Sequence, residues 1–206
     1  MPANYFAARA LKDIALFATL LNDKALTKRA RTLRQQILTG LECYARVEDP
    51  TYGSILAYET DGMGRHVLMD DANVPSLLSL PYLGAIDMDD PLYQNTRRFV
   101  LSRKNPFYAE GQFARGIGSP HTPKGYIWHI ALCIQMMTTH DIDEQATLLK
   151  MLITTHADTG FMHEGFDPDK PEHFTRSWFA WANSLFGECI WRLHDEGTLQ
   201  RVLAKL

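Results

Sequence analysis

Side chains that can do acid–base chemistry or bind a hydroxyl-rich ligand are concentrated in three short loops of the sequence. These loops cover residues 69–75, 118–123 and 162–166, and a predicted helix follows each of them. We assign these helices to the inner ring of a barrel that consists of two concentric rings of helices. Inner helices of such a ring run parallel, so the loops before them gather at one opening. Concave openings with convergent polar and aromatic groups are the usual place for a binding site. The sequence therefore predicts a site built from these three loops.

The first loop contains two adjacent aspartates, Asp70 and Asp71, followed by Asn73. An aspartate before a helix commonly accepts hydrogen bonds from the free N–H groups of the first turn. Carboxylates also accept hydrogen bonds from adjacent hydroxyl groups, so the same residues can bind a sugar. On the residues alone, helix capping is the favoured interpretation.

The other two loops offer a histidine and a glutamate. His121 lies between two prolines, which make either a rigid surface turn or a rigid support for a ligand-contacting imidazole, and the residues favour neither. Glu164 follows His163 and precedes Gly165. A lone loop glutamate is usually solvated and inert, and the residues alone favour that interpretation. Held at an opening, the same carboxylate can serve as a general base that activates water.

The last predicted inner helix opens with Arg176, Trp178, Trp181 and Asn183. Aromatic residues at helical spacing mostly pack in the core, which is the favoured interpretation for this group. Trp178 is nearest to the preceding loop and is the best candidate for stacking against a sugar ring.

Composition and motifs exclude several classes of site. The chain has 206 residues, which suits one domain, a net charge of −3, and no run of more than two Lys or Arg residues. A nucleic-acid partner is therefore not expected. The eight histidines form no HExxH motif and no zinc-ligand spacing with cysteine, so no metal is expected. No phosphate or dinucleotide fingerprint occurs, and no cofactor is expected.

The cysteines and the apolar segments indicate the compartment. The chain has an odd number of cysteines, namely Cys43, Cys133 and Cys189, and each lies in an apolar helical pattern. They are therefore interpreted as small buried hydrophobic residues in a reducing compartment. Charged residues interrupt the first apolar stretch before a signal peptide can form. The longest uncharged run, residues 125–140, is too short and too polar to span a bilayer. The predicted location is cytoplasmic, without a membrane partner.

Apolar residues recur at helical spacing along most of the chain. Two stripes predict the first two helices, one through Leu11, Ile14, Ala15, Ala18 and Leu21, the other through Leu26, Ala30, Leu33, Ile37, Leu41 and Tyr44. Further helices are predicted over residues 72–84, 92–103, 125–139, 143–157 and 176–193. Residues 52–58 and 65–69 look strand-like and are predicted to form a hairpin around Asp61-Gly62.

The order of these helices indicates an architecture. Segments 125–139 and 176–193 are apolar nearly all round, which predicts burial on most sides, and the segment between them is amphipathic. The inner and outer rings of an α/α toroid produce this order, whereas every helix of a four-helix bundle would be amphipathic. We therefore predict an all-α fold, a partial (α/α)6 toroid of about seven or eight helices with a small β-hairpin insertion.

Several segments resemble glycoside hydrolase family 125, the metal-independent exo-α-mannosidases. The resemblance covers nearly the whole chain, through YETDGMG (58–64), residues 68–75 and 80–84, SPHTP (119–123), residues 125–128, MHE (162–164) and FTRSWFAWANS (174–184). It implies an (α/α)6 toroid, a metal-independent inverting mechanism, and removal of non-reducing α-1,6-linked mannose from a mannose-containing oligosaccharide. Residues 1–206 are accordingly interpreted as a single partial catalytic domain that lacks the N-terminal portion.

The resemblance also assigns site residues. Glu164 matches the family's general base, and the expected sugar contacts are Asp70, Asp71, Asn73, His121, Thr122, His163, Arg176 and Trp178. Gly165 stands where the family has serine, a change expected to have little consequence. The family's general acid is an aspartate just before the stretch that residues 2–6 resemble, and nothing in the 206 residues matches it. A separately encoded N-terminal half is therefore an expected partner.

Two other interpretations stay open. The chain can be a non-catalytic, glycan-binding remnant that keeps the loops without turnover. It can also be a helical scaffold unrelated to sugars, although the aromatic and carboxylate-rich loops argue against this. Half a toroid would leave apolar surface uncovered, so we expect the isolated chain to be poorly stable and prone to association.

Overall fold

The computed structural model describes all residues from 1 to 206. The chain contains seven α-helices and four two-stranded antiparallel sheets. The predicted predominance of helices is confirmed, whereas the prediction of an all-α fold with a single hairpin missed the other small sheets. The helices are α1 (Pro2–Leu20), α2 (Lys24–Tyr44), α3 (Pro91–Val100), α4 (His129–Met137), α5 (Ile142–Thr154), α6 (Ala180–Asp195) and α7 (Leu199–Leu203). The strands are β1 (Arg46–Asp49), β2 (Gly53–Leu56), β3 (Glu59–Thr60), β4 (His66–Val67), β5 (Tyr108–Glu110), β6 (Arg115–Ile117), β7 (Gly165–Phe166) and β8 (Phe174–Thr175).

The chain forms two compact units. Unit 1 comprises residues 1–69 and 75–99, and unit 2 comprises residues 70–74 and 100–206. All three loops that the sequence singles out have their polar residues in unit 2.

Unit 1 begins with α1 and α2, which pack against each other through a short turn. Asn22 adopts a left-handed backbone conformation in this turn, with φ +59°. Asp23 then caps α2 by accepting a hydrogen bond from the backbone N–H of Leu26 at 2.9 Å. The cap and the left-handed residue together end one helix and start the next within three residues.

The packing between α1 and α2 uses small side chains. The buried residues of α1 are Pro2, Ala8, Ala15 and Ala18, and those of α2 are Ala30 and Leu41. Apart from Leu41, the larger apolar residues of both predicted stripes are only partly buried or exposed, among them Ile14, Leu21, Leu26, Leu33 and Tyr44. The helices are therefore where the pattern predicts them, but much of their apolar surface has no partner within the chain.

The predicted hairpin of unit 1 differs in its strands. The turn around Asp61-Gly62 is present, but it joins β3 to β4 rather than residues 52–58 to 65–69. Residues 53–56 form β2 instead and pair with β1, a strand that the sequence analysis did not predict. The carboxylate of Asp61 accepts hydrogen bonds from the N–H groups of Met63 and Arg65, which fixes the turn five residues after the end of β2.

The prediction of a helix over residues 72–84 is wrong, because this segment consists of turns and bends. Ser76 and Ser79 exchange side-chain hydrogen bonds with each other's backbone N–H groups, at 2.7 and 3.1 Å. Such bonds compete with the helical pattern, and Pro81 has no N–H to donate. The next helix is α3, inside the predicted 92–103 segment apart from its first residue.

Unit 2 is organised around α4, which packs against both α5 and α6. Seven of its nine residues are buried, as its apolar sequence predicts. Helix α5 buries one face, through Ala146, Leu149 and Leu152, as its amphipathic sequence predicts, and leaves Ile153 exposed. Asp141 caps α5 by accepting a hydrogen bond from the N–H of Asp143 at 2.8 Å.

Helix α6 differs from its prediction in two ways. It begins at Ala180 rather than at Arg176, and it buries one face only, through Ala182, Leu185, Cys189 and Leu193. Burial on most sides was therefore wrong for this helix, since Trp181 and Trp191 are exposed. The interpretation of the cysteines as buried was wrong for Cys43, which is exposed, and correct for Cys133 and Cys189. None of the helices has both the length and the apolar character that crossing a membrane requires.

Candidate active site

The structure brings the three loops into contact within unit 2. The N–H of Ala72 donates to the carbonyl of Gly118 at 3.1 Å, and the side-chain amide of Asn73 donates to Ser119 Oγ at 3.4 Å. The methyl group of Thr122 lies 3.2 Å from the position that a Cβ on Gly165 would occupy. Residues far apart in sequence therefore line one continuous region, with Glu164 next to the last of these contacts.

The 118–126 segment is folded tightly against itself. A Cβ on Gly118 would lie 1.9 Å from the carbonyl oxygen of Tyr126, so only glycine fits there. The hydroxyl of Thr122 accepts a hydrogen bond from Trp128 Nε1 at 2.9 Å and donates to the carbonyl of Ser119. Thr122 thus holds the loop that presents the exposed His121.

Gly165 is more constrained than the sequence analysis expects. A Cβ at this position would lie 3.2 Å from Thr122 Cγ2 and 3.2 Å from Trp128 Cδ1 and Nε1. A serine here would require these neighbours to move by a few tenths of an ångström. The glycine therefore permits a close approach between the glutamate loop and the histidine loop.

Glu164 lies at the end of the short β7–β8 ladder. Gly165 pairs with Thr175, and the N–H of Glu164 donates to the carbonyl of Thr175 at 3.3 Å, so Glu164 faces Arg176 across the ladder. Arg176 Nε donates to Glu164 Oε2 at 3.0 Å. Oε1 of Glu164 has no hydrogen-bond partner in the protein, and the side chain is 15% exposed. One carboxylate oxygen is therefore anchored while the other remains available to water.

Arg176 and Trp178 lie in the short connection between β8 and α6. Arg176 has a φ of +54°, a left-handed conformation that costs a non-glycine residue about 1–2 kcal/mol. Its guanidinium lies 5.4 Å from the ring centre of Phe179, a cation–π distance. Trp178 is 57% exposed, so the interpretation of this residue as core was wrong, and its ring is open to a ligand.

The two aspartates differ from their favoured interpretation, because no helix follows them. Asp71 Oδ1 accepts hydrogen bonds from both the N–H and the side-chain amide of Asn73, at 3.1 and 3.0 Å. Asp70 is fully buried, and its N–H donates to Asn105 Oδ1 at 3.1 Å. Asp71 and Asn73 retain small exposed fractions, whereas the carboxylate of Asp70 has no surface to offer a ligand.

His163 is also fully buried. Its ring stacks on Phe174 with the ring centres 3.9 Å apart, and both ring nitrogens face main-chain carbonyls. This side chain has neither exposed surface nor a free nitrogen, so we no longer expect it to contact a sugar directly. Sequence reasoning also missed its neighbour His129, whose position inside an apolar helix gave no sign of a polar role.

A second feature that the sequence analysis missed is an aromatic groove beside the histidine loop. It has a volume of about 420 Å³, and its walls include Phe107, Tyr108 and Tyr126 together with Ser119 and Thr122. Burial raises the pKa of the Tyr108 phenol, so this hydroxyl stays protonated and able to donate. Phe107 and Tyr108 are adjacent, but Tyr126 is 18 residues further along the chain, and no spacing rule connects it to them.

No three His, Cys, Asp or Glu side chains of the chain are arranged so that they could hold a metal ion. The groups described above can do other chemistry. A carboxylate can accept hydrogen bonds from hydroxyl groups or act as a general base, and an exposed indole offers an apolar face for stacking.

A family model described as metal-independent alpha-mannosidase (GH125) matches residues 1–191 of this chain. The chain belongs to glycoside hydrolase family 125. Its matched segment contains all three loops and the Glu164–Arg176 pair.

Two relatives in the family give the extent of the match. The chain is 41% identical over 191 residues to the meiotically up-regulated gene 157 protein of Schizosaccharomyces pombe. The aligned residues make up 92% of this chain and 38% of the S. pombe protein. A solved structure of a metal-independent α-mannosidase from Streptococcus pneumoniae, a non-productive complex with α-1,6-mannobiose, is 41% identical with a TM-score of 0.92. That match covers 95% of this chain and 46% of the pneumococcal chain. The chain therefore spans less than half the length of either relative.

Proposed function

We propose that this chain provides the general base and part of the sugar-binding surface of an inverting exo-α-1,6-mannosidase. The observation that carries the proposal is the state of Glu164. One of its oxygens is anchored by Arg176 at 3.0 Å, and the other is unpartnered and reachable by solvent. A carboxylate held this way can orient a single water molecule and accept its proton.

The proposed reaction needs two carboxyl groups on opposite faces of the sugar. Glu164 takes a proton from water, and the oxygen of that water forms a bond to the anomeric carbon as the glycosidic bond breaks. A carboxylic acid on the other face protonates the leaving oxygen. In inverting enzymes the two carboxyl groups lie roughly 6.5–9.5 Å apart, which leaves room for the water. The product is mannose in the β configuration.

The sugar contacts follow from which side chains are accessible. His121 and Trp178 are exposed, and Trp178 can stack on the apolar face of a mannose ring. Asp71 and Asn73 are linked to each other and partly accessible, so they can share hydrogen bonds with sugar hydroxyls. We propose a supporting role for Thr122 and Asp70, whose polar groups are committed within the protein or buried.

The family resemblance assigns the general acid to an aspartate that would precede residues 2–6, so it assigns this role to no residue of the chain. We propose that the acid comes from the part of the family's domain that this chain does not span, and that the two parts together form an (α/α)6 toroid. We infer that this other part covers the exposed side of α1. This α1 face consists of Phe6, Ile14, Phe17 and Leu20, and Phe17 and Leu20 are 61% and 70% exposed. Apolar faces of this kind mark protein interaction sites.

The proposed partnership can be tested by complementation. The probe is the segment of the S. pneumoniae α-mannosidase that this chain does not cover, mixed with the 206-residue chain. Light scattering should show a one-to-one complex, and Phe17→Ser with Leu20→Ser should prevent it, whereas Lys12→Ser on the same helix should not. A homodimer through α1, or no complex at all, would contradict this partner assignment.

Turnover is measured on α-1,6-mannobiose with the same mixture. We expect proton NMR to show β-mannose as the first product, and the 206-residue chain alone to give none. Turnover by the chain alone would show that the acid lies within it. Product that appears first as α-mannose would exclude inversion.

The role of Glu164 is tested by Glu164→Gln, which keeps the size of the side chain but removes the base. We expect turnover to fall by at least about a hundredfold, since general base catalysis contributes roughly 10²–10⁴-fold. Binding of mannobiose, measured by calorimetry, should change little. The matched control is Glu172→Gln, an exposed glutamate of the same region, which should leave turnover unchanged. Retained turnover in Glu164→Gln would remove Glu164 from the role of base.

The same experiments separate the alternatives. Mannobiose binding without turnover, even in the complex, would favour a non-catalytic glycan-binding protein. The absence of both binding and turnover would favour a helical scaffold. The cytoplasmic location stays a prediction from the sequence.

A further inference from the structure

A buried hydrogen-bond network connects the start of α4 to the loop of Glu164. The hydroxyl of Thr155 donates its single hydrogen to the carbonyl of Met151 at 2.7 Å, so its oxygen accepts from His129 Nε2 at 2.9 Å. This leaves His129 Nδ1 as an acceptor, and it receives the backbone N–H of His163 at 2.8 Å. The network therefore fixes one tautomer of His129.

The environment of His129 keeps it in this state. The ring is completely buried and stacks on Phe166, with the ring centres 4.5 Å apart. Burial, and secondarily the nearby His163, lower the pKa of His129 to about 3. The ring stays neutral at working pH, so Nδ1 remains able to accept the backbone N–H of His163.

The side chain of His163 connects this network to the backbone of Arg176. His163 Nδ1 lies 3.2 Å from the carbonyl oxygen of Arg176, and Nε2 lies 3.2 Å from that of His156. The ring stacks on Phe174 with the two ring planes nearly parallel. These contacts hold the peptide that follows Arg176, at the residue whose φ is +54°.

The conformation of Arg176 determines where its guanidinium lies. A left-handed residue turns the chain sharply out of β8, and from that position Nε reaches Glu164 Oε2. Relaxation of Arg176 to a right-handed or extended conformation would redirect the side chain away from Glu164. Because the left-handed state is unfavourable for arginine, the surrounding contacts must enforce it.

We propose that His163, held by His129, donates from Nδ1 to the carbonyl of Arg176. It is thereby a positioning residue that fixes Arg176 in its left-handed conformation and selects which oxygen of Glu164 stays free for water. The functional meaning of this arrangement rests on the role proposed for Glu164. The structural part does not, and it is tested in the 206-residue chain without any measurement of turnover.

The experiment follows the Nε–H resonance of Arg176 by NMR, assigned through its loss in Arg176→Lys. Two variants of His163 differ in which ring nitrogen they replace by an amide N–H. His163→Asn places an amide N–H near the position of Nδ1, facing the carbonyl of Arg176, whereas His163→Gln places it near Nε2, facing His156. Both lose the aromatic stack on Phe174, so they are matched for the loss of packing.

In the wild-type chain we expect slow hydrogen exchange at Arg176 Nε, because this N–H is bonded to Glu164. His163→Gln should speed the exchange by about tenfold, as expected for the loss of one hydrogen bond, while His163→Asn should retain slow exchange. Unchanged exchange in His163→Gln would overturn the proposal. Equal loss in both variants would also overturn it, because packing rather than the carbonyl bond would then hold Arg176.

A third variant covers the case in which the histidine variants do not fold. Phe174→Leu removes the stacking partner but keeps both ring nitrogens of His163, so slow exchange at Arg176 Nε should persist. Its loss in this variant would overturn the proposal. A later failure of the turnover experiments would overturn the proposed function without changing these NMR results.

Discussion

Helix α4 in unit 2 and helix α1 in unit 1 are both rich in apolar residues, yet they bury them differently. Seven of the nine residues of α4 are buried, including Ile130, Leu132 and Ile134. Helix α1 has 19 residues and buries four of them, three of which are alanines, while Phe17 and Leu20 remain exposed. Apolar content therefore does not decide burial by itself. The available partners decide it, and α1 has a partner on one side only.

This difference is informative about what the α1 face is for. A helix that exposes large apolar side chains on one side and packs alanines on the other has a second surface to cover. The chain spans 46% of the pneumococcal α-mannosidase, so family members have additional polypeptide that could provide the cover. The comparison supports the proposal that unit 1, rather than α4, carries the interface with the rest of the domain.

The largest expected effect is a difference in stability between two leucine-to-alanine changes. Leu132→Ala in α4 removes a fully buried side chain and should lower the free energy of unfolding by about 3 kcal/mol. Leu20→Ala in α1 removes an exposed one and should change it by less than about 0.5 kcal/mol. Urea unfolding followed by circular dichroism measures both. Similar losses for the two variants would mean that α1 is already covered in solution, for instance by self-association.

Sequence reasoning was most successful for helices with sustained periodicity. It placed α1, α2, α4, α5 and the core of α6, because an apolar stripe at helical spacing persists over several turns in each. It failed for residues 72–84, where Ser76 and Ser79 bond to each other's backbone and override an apolar pattern. It also missed β5 to β8, which have only two or three residues each and are too short to show alternation.

The sequence named candidate residues for the site but not their geometry. On the residues alone Glu164 was interpreted as solvated and Trp178 as core, and the family resemblance assigned both, with Arg176, to the site. The structure places all three between residues 164 and 178 of unit 2. The left-handed conformation of Arg176 and the tautomer of His129 depend on contacts between residues distant in sequence. Local pattern carries no information about such contacts. For the same reason the burial of His163 could not be foreseen from its place in the loop.

The second prediction concerns the pH dependence of stability. It tests how completely the protein encloses His129, the first residue of α4. The pKa of His129 is about 3 in the folded protein, against an ordinary value of 6.5 that applies to the unfolded chain. As the pH falls below 6.5, the unfolded chain binds the proton first, so stability is complete above that pH and declines down to pH 3. The decline is about 1.4 kcal/mol per pH unit, or about 2 kcal/mol between pH 7 and pH 5.

His129→Gln removes this titration while keeping a polar side chain. The loss of unfolding free energy between pH 7 and pH 5 should be about 2 kcal/mol smaller in the variant than in the wild-type chain, measured by urea unfolding at both values. An independent readout is the ring proton resonance of His129 in the wild type, which should not shift between pH 8 and pH 4. A titration midpoint near 6.5 would show that the ring is hydrated and that α4 is less enclosed than the structure indicates.

The smallest perturbation is chemical labelling of the cysteines, which compares the two regions without any mutation. Cys43 lies in α2 and is exposed, whereas Cys133 lies in α4 and is buried, as is Cys189 in α6. Burial raises the pKa of the Cys189 thiol, and its sulfur donates to the carbonyl of Cys133, so both accessibility and thiolate formation are suppressed there. A thiol reagent should therefore modify Cys43 of the native chain quickly and the other two cysteines only after urea is added.

In the complemented complex, labelling of Cys43 reports directly on the α1–α2 pair. Protection of Cys43 would place the partner on α2 as well, whereas unchanged labelling would confine it to the α1 face.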